Sequence, residues 1–193
     1  SSDVLFPWTL RTVAAVFSDL PDVRWITGLP AHLNEDGELI EVWRAHAWGR
    51  YDILSGRVTL QQEGVFWRRD LWEEAGARLD TEAGVACDYE LWTRFARSAE
   101  PYFVPVPLGG FRFHEQRRGA DGDDPYRLRM RRIAAVVIPH LSAADRWRCR
   151  VAGALDRPTG YPARRALAAA CRHSFLALHR VRYDLCRRRW VAE

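Results

Sequence analysis

The chain has 193 residues, 48% hydrophobic and 12% aromatic, enough to bury a substantial core within one or two domains. Its longest apolar runs, such as IAAVVIP and ALAAAC, fall far short of the roughly 20 residues a membrane span needs, and no secretory-signal pattern opens it, so it reads as a soluble, cytoplasmic protein. The formal charge is +4 and unevenly spread: up to Gln116 there are 11 Arg against 18 acidic residues, and from Arg117 onward 18 Arg against 7.

In FPWTLRTVAAVFSDLP, the spacing of Leu10, Val13, Ala14 and Phe17 predicts a helix, with Pro7 near its first turn and Pro21 beyond its end. DVRWITGLPAHLNEDGELIEVWR alternates apolar and polar residues around NEDG, which has the turn chemistry of a β-hairpin. LQQEGVFWRRDLWEEAGA changes period. Phe66, Trp67, Leu71, Trp72 and Ala75 suit a short helix, closed by Gly76 as a left-handed C-cap. RLDTEAGVA reads as a loop.

From Asp88 onward, Leu91, Trp92, Phe95 and Ala96 describe one helical face, and Asp88 sits where an N-cap carboxylate would meet free backbone N–H groups. The same residue type at the lip of a cleft is also what a general base requires. The local sequence fits either role. YFVPVPLGGFRFHE is extended, and its prolines suit an edge strand or a strand boundary.

After the Gly/Asp-rich linker RRGADGDDP, three helices are predicted, over YRLRMRRIAAVVIPHL, SAADRWRCRVAGAL and PARRALAAACRHSFLALHRVRYDLCRRRW. Charge, periodicity and linker chemistry place a boundary near residue 118. The four cysteines, Cys87, Cys149, Cys171 and Cys186, form no CxxC and no zinc-type spacing, and read as reduced, packed thiols.

Taken in order, SSDVLFPWTL, QQEGVFWRRDLWEEAG, CDYELWTRFAR and LGGFRFH resemble the second half of an inverting, family-two glycosyltransferase of GT-A fold, over roughly residues 1–118. The resemblance implies an α/β chain: a partial GT-A-type mixed sheet with flanking helices in residues 1–118, then a basic α-helical tail in residues 119–193. It implies transfer of a sugar from a nucleotide-sugar donor to a hydroxyl of a saccharide or lipid-linked acceptor.

Within that resemblance, SSDVLFP stands where the family holds a divalent cation, Mg or Mn, on the diphosphate. Asp3 matches the last acid of that motif, Ser1 and Ser2 replace the others, and His114 corresponds to a histidine that completes the metal shell in some GT-A enzymes. Asp88 corresponds to the catalytic base, with Cys87 in place of the acidic neighbour usual there. A positioned carboxylate is what a sugar hydroxyl needs, because the alcohol is a poor nucleophile until its proton is taken.

Gln62, Glu63 and Trp67 fall on the acceptor side, where the first two would hydrogen-bond a sugar and Trp67 would either stack on it or fill the core. Gly64 would let backbone approach closely. Arg112, Arg117 and Arg118 would meet diphosphate oxygens or remain solvated.

The chain opens inside the Asp motif, and neither a nucleoside pocket nor a Gly-rich phosphate loop precedes it, which suggests a truncated enzyme. A non-catalytic remnant or partner domain is the first alternative. The second is a basic adaptor, in which the Arg-rich tail with Trp147, Phe175 and Tyr183 lies on the inner membrane face instead of packing on the body. Nothing in the tail has the motif of a nucleic-acid binder.

Overall fold

Trp25 and Ile26 are neighbours on one strand, so their side chains leave opposite faces of the sheet, and each seeds a separate apolar layer. The computed structural model describes residues 3–43, 47–113, 125–155 and 175–193. Among these, the architecture is mixed α/β, a mixed sheet with flanking helices.

The strand carrying Trp25, β2 (Trp25–Leu33), is central. With β1 (Val4–Leu5), β3 (Leu39–Val42), β4 (Val65–Trp67) and β5 (Pro101–Arg112) it forms a sheet of order β1-β5-β2-β3, with β4 also paired to β2. The β2–β3 hairpin turns at Asn34–Gly37, as NEDG predicts. Among the described strands of this sheet, β2–β5 is the parallel ladder, and an isolated parallel bridge joins Phe103 to Arg180.

The predicted first helix is α1 (Thr9–Asp19). Its start is fastened to β5, where the buried Thr9 hydroxyl donates to the Leu108 carbonyl at 2.5 Å and the Trp8 indole N–H to the Pro107 carbonyl at 2.8 Å. Ile26, Val16, Val104 and Leu108 form the core on this side.

On the other face, Trp25 packs on Trp92 and Phe95 of α4 (Cys87–Ser98), with ring centroids 6.0 and 5.6 Å away. The same core takes Tyr51 and Ile53 from α2 (Arg50–Leu54), Leu71 from α3 (Arg69–Glu74), Met130 from α5 (Pro125–Val137), and Cys149 and Ala152 from α6 (Ala143–Leu155). The basic C-terminal region thus supplies apolar residues to the same core as the acidic body. Gly76, at φ 92°, ends α3 as its sequence position predicts.

Several expectations are corrected. Phe66 and Trp67 belong to strand β4, because pairing with Ile26 and Trp25 outweighs their helical spacing. The predicted loop over RLDTEAGVA contains a 3-10 stretch, Thr81–Ala86. β5 is internal in strand order, but β1 reaches only Gly109 and Gly110, so at Pro105 and Pro107 its ladder partner is β2 alone. Between the Thr27–Phe103 and Leu29–Pro107 pairs, β5 advances further than β2, so the ladder bulges around residues that have no N–H to donate.

The last predicted helix is overturned at its end. VRYDLCRRRWVA is a hairpin of β6 (Val181–Asp184) and β7 (Arg189–Ala192), in which Tyr183 stands opposite Trp190, and the C-terminal region is therefore not all helical. Trp190 fastens this hairpin to α1 through its backbone N–H, which donates to Asp19 Oδ2 at 2.8 Å. Residues 162–174 of that predicted helix, including Cys171, lie outside the described residues. Of the other cysteines, Cys149 is buried, Cys87 half-buried and Cys186 exposed, all as free thiols.

Candidate active site

Glu63 owes its position to a tight backbone contact. It lies in a 3-10 turn, Gln62–Gly64, pressed on β5 so closely that a Cβ at Gly109 would stand 2.2 Å from the Glu63 carbonyl oxygen. Only glycine fits there. The close approach expected of Gly64 is instead made by Gly109, since a Cβ at Gly64 would meet its nearest neighbour at an ordinary 3.8 Å.

Upstream, the Gln61 amide is clamped to the Ala31 backbone. It accepts the Ala31 N–H at 2.9 Å, donates to the Ala31 carbonyl at 2.7 Å, and its Nε2 also donates to Glu63 Oε1.

Because β1 pairs with β5 at Leu5–Gly109, the Asp3 end of the chain comes beside this turn. Together they enclose a cleft of about 310 Å³. Asp3, Gln62, Glu63, Phe66 and Trp67 line it, so residues some sixty positions apart in sequence share one depression. Trp67 lines the cleft, and its ring also lies 5.5 Å from both Trp92 and Phe95 at the edge of the core.

Asp88 is in the first turn of α4, two residues past its N-cap position, and it is not among the residues lining the cleft. The helix begins at Cys87, and Ala86 precedes it without a side-chain cap. The carboxylate accepts the Tyr89 N–H on Oδ1 at 2.7 Å and the Tyr126 hydroxyl on Oδ2 at 3.1 Å. Burial raises its proton affinity above the usual Asp range, against the pull of these two hydrogen bonds and of one from its own backbone N–H.

Glu63 is likewise pushed up, first by burial. Its own backbone and Gln61 resist the shift, while the charges of Asp3 and Asp88 add to it. Three carboxyl groups from separate segments therefore meet electrostatically at Glu63.

Asp3 is exposed, and its Oδ1 faces the Arg112 N–H at 3.4 Å. The Arg112 guanidinium reaches toward the β2–β3 turn, with Nη2 3.4 Å from where a Gly37 Cβ would be, and Arg112 is not among the residues lining the cleft. Ser1, Ser2, His114, Arg117 and Arg118 lie outside the described residues. Among the described residues, no group of three His, Cys, Asp or Glu side chains is gathered to hold a metal ion. Asp3 alone does not make the oxygen cage a hard divalent cation needs.

Three residues of the site escape the sequence reading. Gln61 is indistinguishable from Gln62 by type. Gly109 could have been suspected from a glycine doublet inside a strand. Tyr126 lies 38 residues from Asp88 with no local signal.

Comparison of the chain with protein-family models and with curated proteins finds no match. Among the described residues, no helix is long and apolar enough to cross a membrane.

Proposed function

We propose that this chain is the acceptor side of an inverting glycosyltransferase, in which Asp88 is the general base. The observation that carries the reading is the Asp88 carboxylate itself. It is held by the Tyr89 N–H and the Tyr126 hydroxyl, its basicity is raised by burial, and its charge reaches Glu63, which lines the cleft that Asp88 itself does not line.

A base with raised proton affinity takes up an alcohol proton more readily, and a carboxylate with both oxygens anchored does not have to be ordered during the reaction. Asp88 would accept the proton of the acceptor hydroxyl as that oxygen bonds to the donor's anomeric carbon. The bond from that carbon to the nucleoside diphosphate breaks on the opposite face, so the configuration inverts.

Gln62 and Glu63 offer hydrogen-bonding groups to the acceptor, and Trp67 offers an aromatic face in the same cleft.

The test is Asp88→Asn, assayed for sugar transfer from a nucleotide-sugar donor. Loss of transfer by about 10²–10⁴-fold with little change in KM supports a base. Full activity of that variant refutes it. Titration of the present chain with a nucleoside diphosphate and manganese distinguishes a donor-competent enzyme, which binds, from a non-catalytic relative, which does not.

A further inference from the structure

Helix α5 holds the segment bearing Asp88 at two points about one helical turn apart. The Tyr126 hydroxyl donates to Asp88 Oδ2 at 3.1 Å, and Arg129 Nε donates to the Ala83 carbonyl at 3.1 Å while its Nη2 reaches the Glu82 carbonyl. Residues 126, 129, 130 and 133 share one face of the helix. On that face Met130 is buried in the same core as Tyr89 and Trp92, and Ala134 abuts Gly56 so closely that a Cβ there would lie 2.7 Å from the alanine methyl. The phenol is therefore delivered by a helix rooted in the core.

The two carboxylate oxygens are divided between two donors on different elements, the Tyr89 N–H of α4 on Oδ1 and the Tyr126 hydroxyl of α5 on Oδ2. Asp88's own backbone N–H also bonds to the carboxylate, so among the described residues Tyr126 is the donor that comes from outside α4. Tyr126 keeps its proton at any ordinary pH, because burial and then the facing Asp88 charge push its ionisation far above the usual tyrosine range. The titratable groups facing this pair are Glu63, whose carboxyl responds to Asp88, and Tyr89 and Cys87 beside Tyr126.

We infer that Tyr126 is the positioning residue of the acceptor base: its hydroxyl sets the orientation of the Asp88 carboxylate from a helix of the C-terminal region. The inference rests on the reading of Asp88 as that base. Tyr126 touches no reacting atom itself. It orients the group that does, which makes the basic C-terminal region part of the site and not an appendage.

The experiment is a carboxyl-carbon NMR titration of the chain and of Tyr126→Phe, with Asp88→Asn to assign the resonance. The hydroxyl favours the ionised form, so its removal is expected to move the Asp88 midpoint to higher pH. In a transfer-competent chain the acid limb of kcat/KM moves the same way, with kcat falling more than KM changes. An unmoved midpoint overturns the inference.

If Tyr126→Phe does not fold, the Tyr126 Cζ resonance in Asp88→Asn reads the same contact from the other side. Its displacement supports the inference and its constancy overturns it. Loss of transfer in Asp88→Asn together with an unmoved midpoint in Tyr126→Phe keeps the base and discards Tyr126. An active Asp88→Asn discards both.

Discussion

The carbonyl of Glu63 rests directly on Gly109, where a methyl group would come within 2.2 Å of the oxygen and 2.6 Å of the carbon. Both partners are backbone, so neither a rotamer change nor a flexible side-chain end can relieve the clash. Gly109→Ala is expected to lift the turn Gln62–Gly64 from β5, at a cost of about 1–3 kcal/mol from overpacking. The check is urea denaturation together with amide chemical shifts, which should move most over residues 61–65 and at Val4 and Leu5. Unchanged stability with unchanged shifts there would refute the contact.

Glu63 binds its proton more tightly folded than unfolded, first because it is buried and then because Asp3 and Asp88 are negative. A group shifted in this direction favours the folded state below the ordinary Glu range, and that advantage is lost as pH rises through its raised folded-state value. Glu63→Gln imitates the protonated form and does not titrate. The stability of Glu63→Gln relative to the parent should therefore grow as pH rises above the ordinary Glu range and level off once the folded-state carboxyl has ionised. Denaturation midpoints at several pH values would check this, and a difference that shrinks with rising pH would contradict it. The part due to Asp3 and Asp88 should weaken with added salt.

Trp25 and Trp92 are both fully buried and stacked 6.0 Å apart, yet their indole nitrogens differ. The Trp25 N–H donates to the Ala99 carbonyl at 3.3 Å, whereas Trp92 Nε1 has no partner among the described residues. Replacing either by Phe leaves a comparable void, so the packing loss is similar for the two. Trp25→Phe should cost about 1 kcal/mol more than Trp92→Phe, because only the former breaks a hydrogen bond. Equal losses in thermal or urea unfolding would show that the Ala99 bond contributes nothing.

Where local periodicity and turn chemistry agreed, the sequence was readable. α1, the NEDG hairpin, the Gly76 cap and the apolar face of α4 all follow from spacing and from residues with strong backbone preferences. It failed where a distant partner decides the outcome. Phe66 and Trp67 are a strand because β2 is there to pair with them. In β5, bulges in the ladder with β2 absorb Pro105 and Pro107.

The end of the chain forms a hairpin, although its apolar residues also fit a helix. In the candidate site, the residue types on the cleft wall were legible, and so was the acid at the start of α4. The clamps on them, Gln61 on Ala31 and Tyr126 on Asp88, join residues 30 and 38 positions apart, beyond the reach of any local pattern.

The core around Trp25 also bears on how the protein comes off the ribosome. Trp25 bonds to Ala99 across 74 residues, and Tyr51 bonds to Asp145 across 94. A nascent chain elongating at about 5–20 residues per second would hold its indole rings in water for seconds before their cover is synthesised. Such long-range closure slows folding and leaves sticky early segments, so recovery of this protein in cells should depend on chaperone capacity more than that of a helical bundle of equal length.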